Sequence, residues 1–270
     1  MTPAGPDFLS RIADDRRRRI EELRRRTPGH VLRSRIGPIS PAGRLERALR
    51  RGGAAAPLRL MCEIKRASPS KGMLRPELDP VAIARVYEAG GAAAISIVTE
   101  PDHFRGDLEW VTAVRPAVRL PLLLKDFVLD SYQLLDAASR GADGVLLVAA
   151  LLSEVQTQRL VTEARLLGLD CLVEVHTADE LQRSVRAGAT LVGINHRDLR
   201  SFEVDRELSL RLLPKVPPLV TAVAESGLST PADFARLRGT RCDAVLVGEA
   251  LMTSSDPAAT LAQLVAAARG

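Results

Sequence analysis

Charged side chains close several apolar runs of the sequence, and their types could support acid–base chemistry. The stretch CEIKRASPSKG (62–72) begins as an apolar run and places Glu63 and Lys65 two positions apart. Side chains two positions apart on a strand share a face, so both charges would point the same way and Ile64 the opposite way. Lysines and carboxylates that face one cavity shift each other's pKa values, as proton transfer requires. Other runs end in similar groups: Thr99-Glu100, Lys125-Asp126, Glu174 with His176, Asn195 with Arg197, Glu225-Ser226-Gly227 and Gly248-Glu249.

Eight short apolar runs predict the β-strands that would carry these groups. They span residues 60–64, 94–98, 121–124, 144–149, 171–175, 191–194, 219–224 and 244–247. Most of the intervals carry helix-start signals, including the N-cap and N1 pair Asp79-Pro80 and the capping boxes at 153–156 and 177–180. The segments EAGGAAAISIV, ASRGADGVLLV and RAGATLVGIN repeat a helix end, a glycine-alanine step and a buried strand. The sequence therefore predicts alternating strands and helices.

This alternation predicts an α/β fold, specifically a (β/α)8 TIM barrel. Strands that are apolar throughout indicate a parallel sheet covered by helices, and eight units are the number that closes a barrel. An open, doubly wound sheet is the alternative. It more often has a glycine-rich phosphate loop after its first strand, where this chain has Ser-Pro-Ser-Lys-Gly. We predict a barrel catalytic domain over residues 53–270 and an N-terminal helical extension over residues 1–52.

In such a barrel, function collects at the rim formed by the carboxyl ends of the strands. The polar groups expected to face one cavity there are Glu63, Lys65, Lys125, Glu174, Asn195 and Glu225. An ion-pair network that merely fills the barrel is the alternative interpretation. Two lysines and three glutamates at one cavity favour an active site, because like charges in a confined space push pKa values apart.

Two glycine-containing loops indicate a phosphate site at the same rim. ESGLST (225–230) runs from a strand through Gly227 to a helix start at Thr230, and LVGEALM (246–252) places Gly248 at the end of the last strand. Backbone N–H groups of such loops can hold a phosphate, and glycine permits a close approach. Ordinary tight turns are the alternative.

Positive charge is concentrated near the N-terminus. Residues 1–51 contain fourteen arginines, no lysine and six acidic residues, a net charge of +8 against +5 for the whole chain. Nucleic-acid binding is one interpretation of the stretch DDRRRRIEELRRR. A solvated amphipathic helix is favoured, because i,i+4 pairs such as Asp15–Arg19 and Glu21–Arg25 would form and no aromatic residues alternate with the arginines. We expect no nucleic-acid partner and a role for this segment as a lid on the barrel.

The sequence also predicts a cytoplasmic protein. No apolar run approaches the roughly 18 residues needed to cross a bilayer, and the N-terminus MTPAGPDFLSRIADD lacks the apolar core of a signal peptide. Cys62, Cys171 and Cys242 lie far apart, without metal-ligand spacing, and are expected to be buried reduced thiols. We expect no membrane partner and a monomer or weak homo-oligomer, although the sequence does not fix the oligomeric state.

Nine segments taken together resemble the indole-3-glycerol-phosphate synthase family. They lie in family order over residues 62–252: CEIKRASPSKG, ISIVTE, HFRGDLEWV, LLLKDFVLD, GADGVLLVAALL, LVEVHTADEL, VGINHRDLRSFEVD, ESGLST and DAVLVGEALM. The resemblance implies a TIM barrel with an N-terminal helical extension. It implies ring closure of a small phosphorylated substrate, 1-(2-carboxyphenylamino)-1-deoxyribulose 5-phosphate, to indole-3-glycerol phosphate, with loss of carbon dioxide and water, in tryptophan biosynthesis. It also implies that no metal and no organic cofactor take part.

The resemblance assigns roles to five residues at the rim. Lys125 matches the general acid that protonates the substrate carbonyl for ring closure, and Lys65 matches a lysine that contacts the substrate. Glu174 matches a carboxylate for proton transfer or stabilisation of a cationic intermediate. Glu63 matches a carboxylate that orients the lysines, and Asn195 matches a position on the anthranilate side of the pocket.

Further matched positions surround the substrate. The pocket positions are Ser68, Phe104, Phe127, Arg197, Glu225 and Leu246, and those of the phosphate side are Ser226, Gly227, Gly248 and Glu249. Glu249 would contribute its backbone N–H, because its carboxylate would repel the phosphate. One departure is visible, since the family usually has Asn-Asn-Arg and this chain has Asn-His-Arg at 195–197. Alternation points His196 away from the cavity, so we expect little catalytic effect.

Other functions stay open on the residues alone. A phosphoribosylanthranilate isomerase needs its own acid–base pair at the rim, and a bifunctional protein needs a second barrel that 270 residues cannot hold. A Schiff-base aldolase needs one lysine with a depressed pKa. A phosphate-binding protein without catalysis would not need Lys65, Lys125 and Glu174 together.

Overall fold

The structure is a computed structural model that describes residues 7–270. The first elements of the described residues are three helices, α1 (Phe8–Arg26), α2 (Gly29–Arg35) and α3 (Arg44–Leu49). The carboxylate of Asp7 accepts a hydrogen bond of 2.8 Å from the N–H of Ser10 and caps the start of α1. The predicted N-terminal helical extension is therefore present.

Eight parallel strands close into a barrel, as the sequence predicts. In chain order the strands of the described residues are β1 (Arg59–Ile64), β2 (Ala67–Ser68), β3 (Gly72–Met73), β4 (Ala94–Val98), β5 (Leu122–Lys125), β6 (Gly144–Val148), β7 (Asp170–Val175), β8 (Leu191–Asn195), β9 (Thr221–Glu225) and β10 (Ala244–Val247). The order around the barrel is β1-β10-β9-β8-β7-β6-β5-β4, and β1 pairs with both β10 and β4. This closure excludes the open sheet. The strands β2 and β3, which the sequence did not predict, form a small antiparallel hairpin within the loop after β1.

Helices cover the outside of the barrel between successive strands. They are α4 (Pro80–Ala89), α5 (Glu109–Val114), α6 (Ser131–Ser139), α7 (Glu154–Leu166), α8 (Ala178–Arg186), α9 (Leu208–Leu212), α10 (Pro231–Arg238), α11 (Glu249–Met252) and α12 (Pro257–Arg269). The predicted capping boxes are confirmed at Ser153 and Thr177, each of which pairs with a side chain three residues later. No helix among residues 7–270 is long and apolar enough to cross a membrane.

Alternation along each strand divides the core into two layers. On β1, Cys62 and Ile64 belong to the apolar layer between strands and helices. Met61 belongs instead to the apolar filling of the barrel interior, which includes Leu123 and Leu172. Glu63 lies on the same face of the strand as Met61 and therefore points inward, as the spacing predicts.

Helix α3 closes the barrel at the amino ends of its strands. Leu45 and Leu49 are fully buried in the cluster that fills the barrel. The Asp170 carboxylate, at the start of β7, accepts hydrogen bonds from the backbone N–H groups of Leu45 (2.8 Å) and Glu46 (3.1 Å). These bonds satisfy N–H groups that the first turn of a helix leaves unpaired. The helix thus forms a capped floor of the barrel.

Helix α1 crosses the opposite rim. Its buried Arg16 donates a hydrogen bond of 2.9 Å to Asp126, which follows β5. The ring of Phe8 packs edge-on against His103 and Phe202. The extension therefore contacts the barrel at both ends.

The predicted i,i+4 ion pairs on α1 are wrong. The observed pairs within the helix are at i,i+3: Asp14–Arg17, Asp15–Arg18 and Glu21–Arg24. Contacts with the barrel explain part of the difference. Asp15 also lies 3.1 Å from a ring nitrogen of His103, and Arg24 also lies 2.6 Å from Asp130.

Candidate active site

The rim at the carboxyl ends of the strands opens into a cavity of about 570 Å³. It lies where the sequence places function. The predicted site residues that line it are Glu63, Lys65, Ser68, Phe104, Lys125, Phe127, Glu174, Asn195, Arg197, Ser226, Gly227, Leu246, Gly248 and Glu249. Glu225, the remaining predicted residue, is fully buried and contacts Lys125.

Lys125 is the centre of a charged cluster. Its Nζ lies 2.7 Å from Glu225, 3.5 Å from Glu63 and 3.9 Å from Glu174. Burial opposes the charged form of the lysine, but the three carboxylates outweigh it and raise the pKa of Lys125 above its ordinary value. Lys125 therefore carries a proton that it can donate into the cavity.

Glu63 holds both lysines of the cluster. One oxygen of its buried carboxylate accepts a hydrogen bond of 2.6 Å from Lys65, and the other faces Lys125. Burial alone would favour the neutral acid, but the charges of Lys65 and Lys125 outweigh it and lower the pKa of Glu63. This carboxylate therefore stays ionised and fixes the position of Lys65.

Glu174 behaves differently from Glu63 although both are buried carboxylates. Burial and the neighbouring charge of Glu225 raise the pKa of Glu174 to about 7, against the opposing effects of Lys125 and of a hydrogen bond from Asn195. The cluster holds three carboxylates and two lysines, so a proton on Glu174 brings it to electrical balance. Glu174 is thus the group of this cluster that can gain or lose a proton near neutral pH.

Two glycines make room for these carboxylates. A β-carbon on Gly248 would lie 2.6 Å from an oxygen of Glu63, and one on Gly193 would overlap an oxygen of Glu225. Both distances are too short for any larger residue to fit without displacing the carboxylate. The sequence analysis assigned Gly248 to the close approach of a phosphate, and the space that Gly248 leaves for Glu63 is a second reason for a glycine at this position. The need for a glycine at position 193 was missed.

Strained backbone and charged groups form the other side of the cavity. Ser226 and Gly227 both have left-handed backbone conformations, with φ of 66° and 70°. The Glu249 carboxylate lies 3.3 Å from Lys71 and 4.0 Å from Arg197. Lys71 lines the cavity but was missed by sequence reasoning, because its hairpin reaches the site only in the folded chain.

Apolar side chains form a wall that would suit an aromatic group. The rings of Phe104 and Phe127 lie 6.2 Å apart at a tilt of 44°. The Glu100 carboxylate accepts hydrogen bonds of 2.8 Å from the backbone N–H of His103 and 2.9 Å from that of Phe104. These bonds fix the loop that presents Phe104. Glu100 itself, noted only as a strand end, also lines the cavity.

The cysteines lie away from this chemistry. All three are buried and free of disulfides, as predicted. Burial raises the pKa of the Cys171 and Cys242 thiols to about 12 and raises that of Cys62 as well. Among residues 7–270, no group of three or more histidine, cysteine, aspartate or glutamate side chains is arranged to hold a metal ion.

Comparison with known families decides the relationship of the chain. The sequence profile described as indole-3-glycerol phosphate synthase matches residues 9–264.

The chain belongs to the indole-3-glycerol phosphate synthase family.

Relatives of that name align along most of the chain. The indole-3-glycerol phosphate synthase of Dehalococcoides mccartyi is 42% identical over 261 residues, which cover 96% of this chain and 100% of the relative. Indole-3-glycerol phosphate synthase 1 of Streptomyces coelicolor is 43% identical over 259 residues, which cover 96% and 95%. The synthase of Mycolicibacterium vanbaalenii is 46% identical over 220 residues, which cover 82% and 79%.

Solved structures of more distant proteins share the barrel. The 3-hexulose-6-phosphate synthase of Salmonella typhimurium has a TM-score of 0.62 and 17% identity, covering 78% of this chain and 98% of that chain. The 3-keto-L-gulonate-6-phosphate decarboxylase of Vibrio cholerae has a TM-score of 0.62 and 16% identity, covering 79% and 98%. At these identities the likeness concerns the fold, which confirms the TIM barrel of this indole-3-glycerol phosphate synthase family member.

Proposed function

We infer that the chain catalyses the reaction of its family, the conversion of 1-(2-carboxyphenylamino)-1-deoxyribulose 5-phosphate to indole-3-glycerol phosphate in tryptophan biosynthesis. The observation that carries the chemical assignment is the Lys125 ammonium, which faces the cavity and is held protonated by three carboxylates. Ring closure needs a proton donor at the substrate carbonyl, and this ammonium is placed to be that donor.

We propose that Lys125 acts in the first step. The aromatic carbon that bears the carboxylate attacks the ketone carbon of the sugar chain, and Lys125 gives its proton to the ketone oxygen. The new bond interrupts the aromatic ring. Loss of carbon dioxide leaves its bonding electrons in the ring and restores aromaticity. Glu225, which is buried 2.7 Å from the lysine, would keep the ammonium directed at the reacting oxygen and is therefore assigned a positioning role.

The dehydration that follows needs a group that exchanges protons near neutral pH. In this proposal the protonated form of Glu174, whose pKa is raised to about 7, gives its proton to the hydroxyl, which leaves as water. The resulting carboxylate then accepts a proton from the neighbouring CH2 carbon, and the electrons of that C–H bond form the double bond of the indole. Lys65 contacts the substrate and is held by Glu63 at 2.6 Å. Asn195 lines the cavity with Glu174, and its side chain favours the ionised form of that carboxylate.

The two anionic ends of the substrate would bind on the side of β8 to β10. Arg197 would hold the carboxylate of the anthranilate ring, whose carbon atoms pack on Phe104, Phe127 and Leu246. The phosphate would accept hydrogen bonds from the loops at 226–227 and 248–249, together with Ser68 in the adjacent loop after β1. Lys71 and Arg197 draw the Glu249 carboxylate aside, which leaves its backbone N–H for the phosphate.

The test is formation of the fluorescent indole product from the purified substrate, with Lys125→Met as the matched inactive variant. Product from the wild type and almost none from the variant would support the assignment. If the wild-type protein bound the substrate without forming product, the result would favour a phosphate-binding protein without catalysis. A lysine adduct trapped by borohydride would favour aldolase chemistry, which needs a depressed lysine pKa and so conflicts with the raised pKa of Lys125.

The expectations about partners and location stay proposals. We propose a cytoplasmic monomer or weak homo-oligomer that acts on a small phosphorylated substrate and binds no nucleic acid. The pairing of Arg16, Arg17, Arg18 and Arg24 with carboxylates supports the last point, because paired arginines have less charge to offer to a phosphate backbone.

A further inference from the structure

A buried histidine touches the loop that is proposed to bind phosphate. His196 follows the last residue of β8, and its side chain is fully buried on the helix side of the strand. Its Nδ1 lies 2.9 Å from the carbonyl oxygen of Ser226, and its Nε2 lies 2.6 Å from the hydroxyl oxygen of Ser209 at α9. The ring therefore ties the loop after β9 to β8 and α9.

The chemistry of these partners fixes the protons of the ring. A carbonyl oxygen only accepts hydrogen bonds, so Nδ1 must carry the hydrogen and donate it to Ser226. Nε2 then accepts from the Ser209 hydroxyl. Burial lowers the pKa of His196, which keeps the ring neutral, although the bond to Ser226 and the charges of Asp205 and Asp233 oppose this effect.

Holding one carbonyl also orients the next N–H group. The carbonyl of Ser226 and the N–H of Gly227 belong to one peptide unit, and in a planar trans unit they point in opposite directions. Because the carbonyl points to the buried His196, the N–H points the other way, toward the cavity that Gly227 lines. Within residues 7–270, no backbone carbonyl accepts a hydrogen bond from this N–H.

The backbone here would not hold that orientation unaided. Ser226 has a φ of 66°, a left-handed conformation that is strained for a non-glycine residue, and Gly227 follows with 70°. A turn of this kind persists only when surrounding contacts determine it. The bond from His196 is a buried contact that does so.

We propose that His196 is a positioning residue for phosphate, because it holds the Ser226–Gly227 peptide with the Gly227 N–H directed at the bound phosphate. This inference rests on the proposed function and on its phosphate assignment. It adds a role in binding to the expectation that His196 has little catalytic effect. The side chain does point away from the cavity, but its contacts lead to Ser226. The amide nitrogen of an asparagine, the usual family residue here, can occupy nearly the place of Nδ1, so both residues offer a donor to the same carbonyl.

Three variants of the full chain test the proposal. His196→Leu removes the donor, His196→Asn keeps a donor near Nδ1, and Ser209→Ala removes only the partner of Nε2. We expect His196→Leu to raise both the KM of the phosphorylated substrate and the inhibition constant of inorganic phosphate by about 5- to 20-fold, with kcat little changed. His196→Asn and Ser209→Ala should stay within about threefold of the wild type in both constants.

Several outcomes would overturn the inference. They are unchanged KM and phosphate inhibition in a folded His196→Leu protein, equal losses in the leucine and asparagine variants, or a fall in kcat alone. If His196→Leu does not fold, His196→Ala takes its place with the same criteria. A wild type that forms no product from the substrate would reject the proposed function itself. An active wild type with unaffected variants would reject only the role of His196.

Discussion

At the scale of single residues, the three glutamates around Lys125 differ in protonation and contacts because their surroundings differ. Glu63 faces two lysines and is ionised. Glu174 lies 3.9 Å from Lys125, and burial together with the charge of Glu225 raises its pKa. Glu225 lies behind Lys125 and fixes it. Burial and neighbouring charge thus give three identical side chains different roles in the proposed proton transfer.

Replacement of Lys125 by methionine tests its assignment as general acid. Methionine keeps the length and apolar stem of the side chain, so the barrel should fold. Turnover should fall by about 10²- to 10⁴-fold, the range for loss of a positioned acid, while KM changes much less. Lys65→Met, the matched variant, should weaken binding as well as turnover. Steady-state kinetics of both variants measure these effects. Near-normal turnover in Lys125→Met would mean that another group is the general acid.

The raised pKa of Glu174 should appear in the stability of the protein. Its folded pKa of about 7 lies above the ordinary value of 4.5, so the stability from its bound proton is complete below about pH 4.5 and is lost as pH rises through about 7. Relative to Glu174→Gln, which does not titrate, the wild type should lose about 1–3 kcal/mol of unfolding free energy between about pH 4.5 and pH 8. Denaturant unfolding across this range measures the difference, and parallel curves would contradict the assignment.

Gly248 should affect the catalytic step as well as phosphate binding. A valine there would press on Glu63, whose oxygen lies 2.6 Å from the β-carbon position, and would disturb both lysines. We expect kcat to fall by about tenfold or more, for the phosphorylated substrate and its dephosphorylated analogue alike. A loss confined to the phosphorylated substrate would show instead that the residue acts only at the phosphate. Gly239→Ala, at a position with open space, is the control.

At the scale of elements, the loops and the N-terminal helices complete what the strands begin. The floor of the barrel comes from α3, and part of the rim is covered by α1. The hairpin of β2 and β3, in the loop after β1, carries Lys71 to Glu249 after the neighbouring strand β10. Each of these contacts joins segments that are distant in the sequence.

The floor helix should contribute to stability, whereas an exposed leucine should not. Leu45 is fully buried inside the barrel end, so Leu45→Ala should lower the free energy of unfolding by about 2–5 kcal/mol. Leu166→Ala, at a position that is 72% exposed at the end of α7, should change it by less than about 0.5 kcal/mol. Chemical denaturation of the two variants makes the comparison. Equal effects would mean that α3 is not part of the cooperative fold.

At the scale of the whole molecule, the N-terminal segment is part of the barrel's core rather than a detached lid. Its apolar residues Phe8, Leu9, Leu45 and Leu49 share a cluster with the barrel interior. The two ends of the segment meet the two ends of the barrel, so they should differ in what their removal does.

Stepwise truncation separates the two roles. A chain that starts at Gly29 loses α1 but keeps α3, so it should fold and show a KM raised by about tenfold or more, or ~1.4 kcal/mol of substrate binding. A chain that starts at Ala54 also loses the floor, and its exposed apolar barrel end should prevent stable folding. Circular dichroism and kinetics distinguish these results. A normal KM in the chain that starts at Gly29 would show that α1 does not act as a lid.

The sequence by itself determined the barrel and the kind of groups at its rim. Apolar runs, caps and glycines act over a few residues, so eight strands and their helices can be recognised locally. Strand alternation then directs Glu63 and Lys65 to one face, and parallel strands bring their ends to one rim.

Only the tertiary structure decided which groups touch. That Glu225 rather than Glu63 lies nearest Lys125, that glycines at 193 and 248 make room for carboxylates, and that His196 reaches Ser226 all depend on distances between separate strands. The same holds for Arg16 and Asp126, which are 110 positions apart. Local sequence preferences carry no information about such distances, because they are set by how the closed barrel packs as a whole.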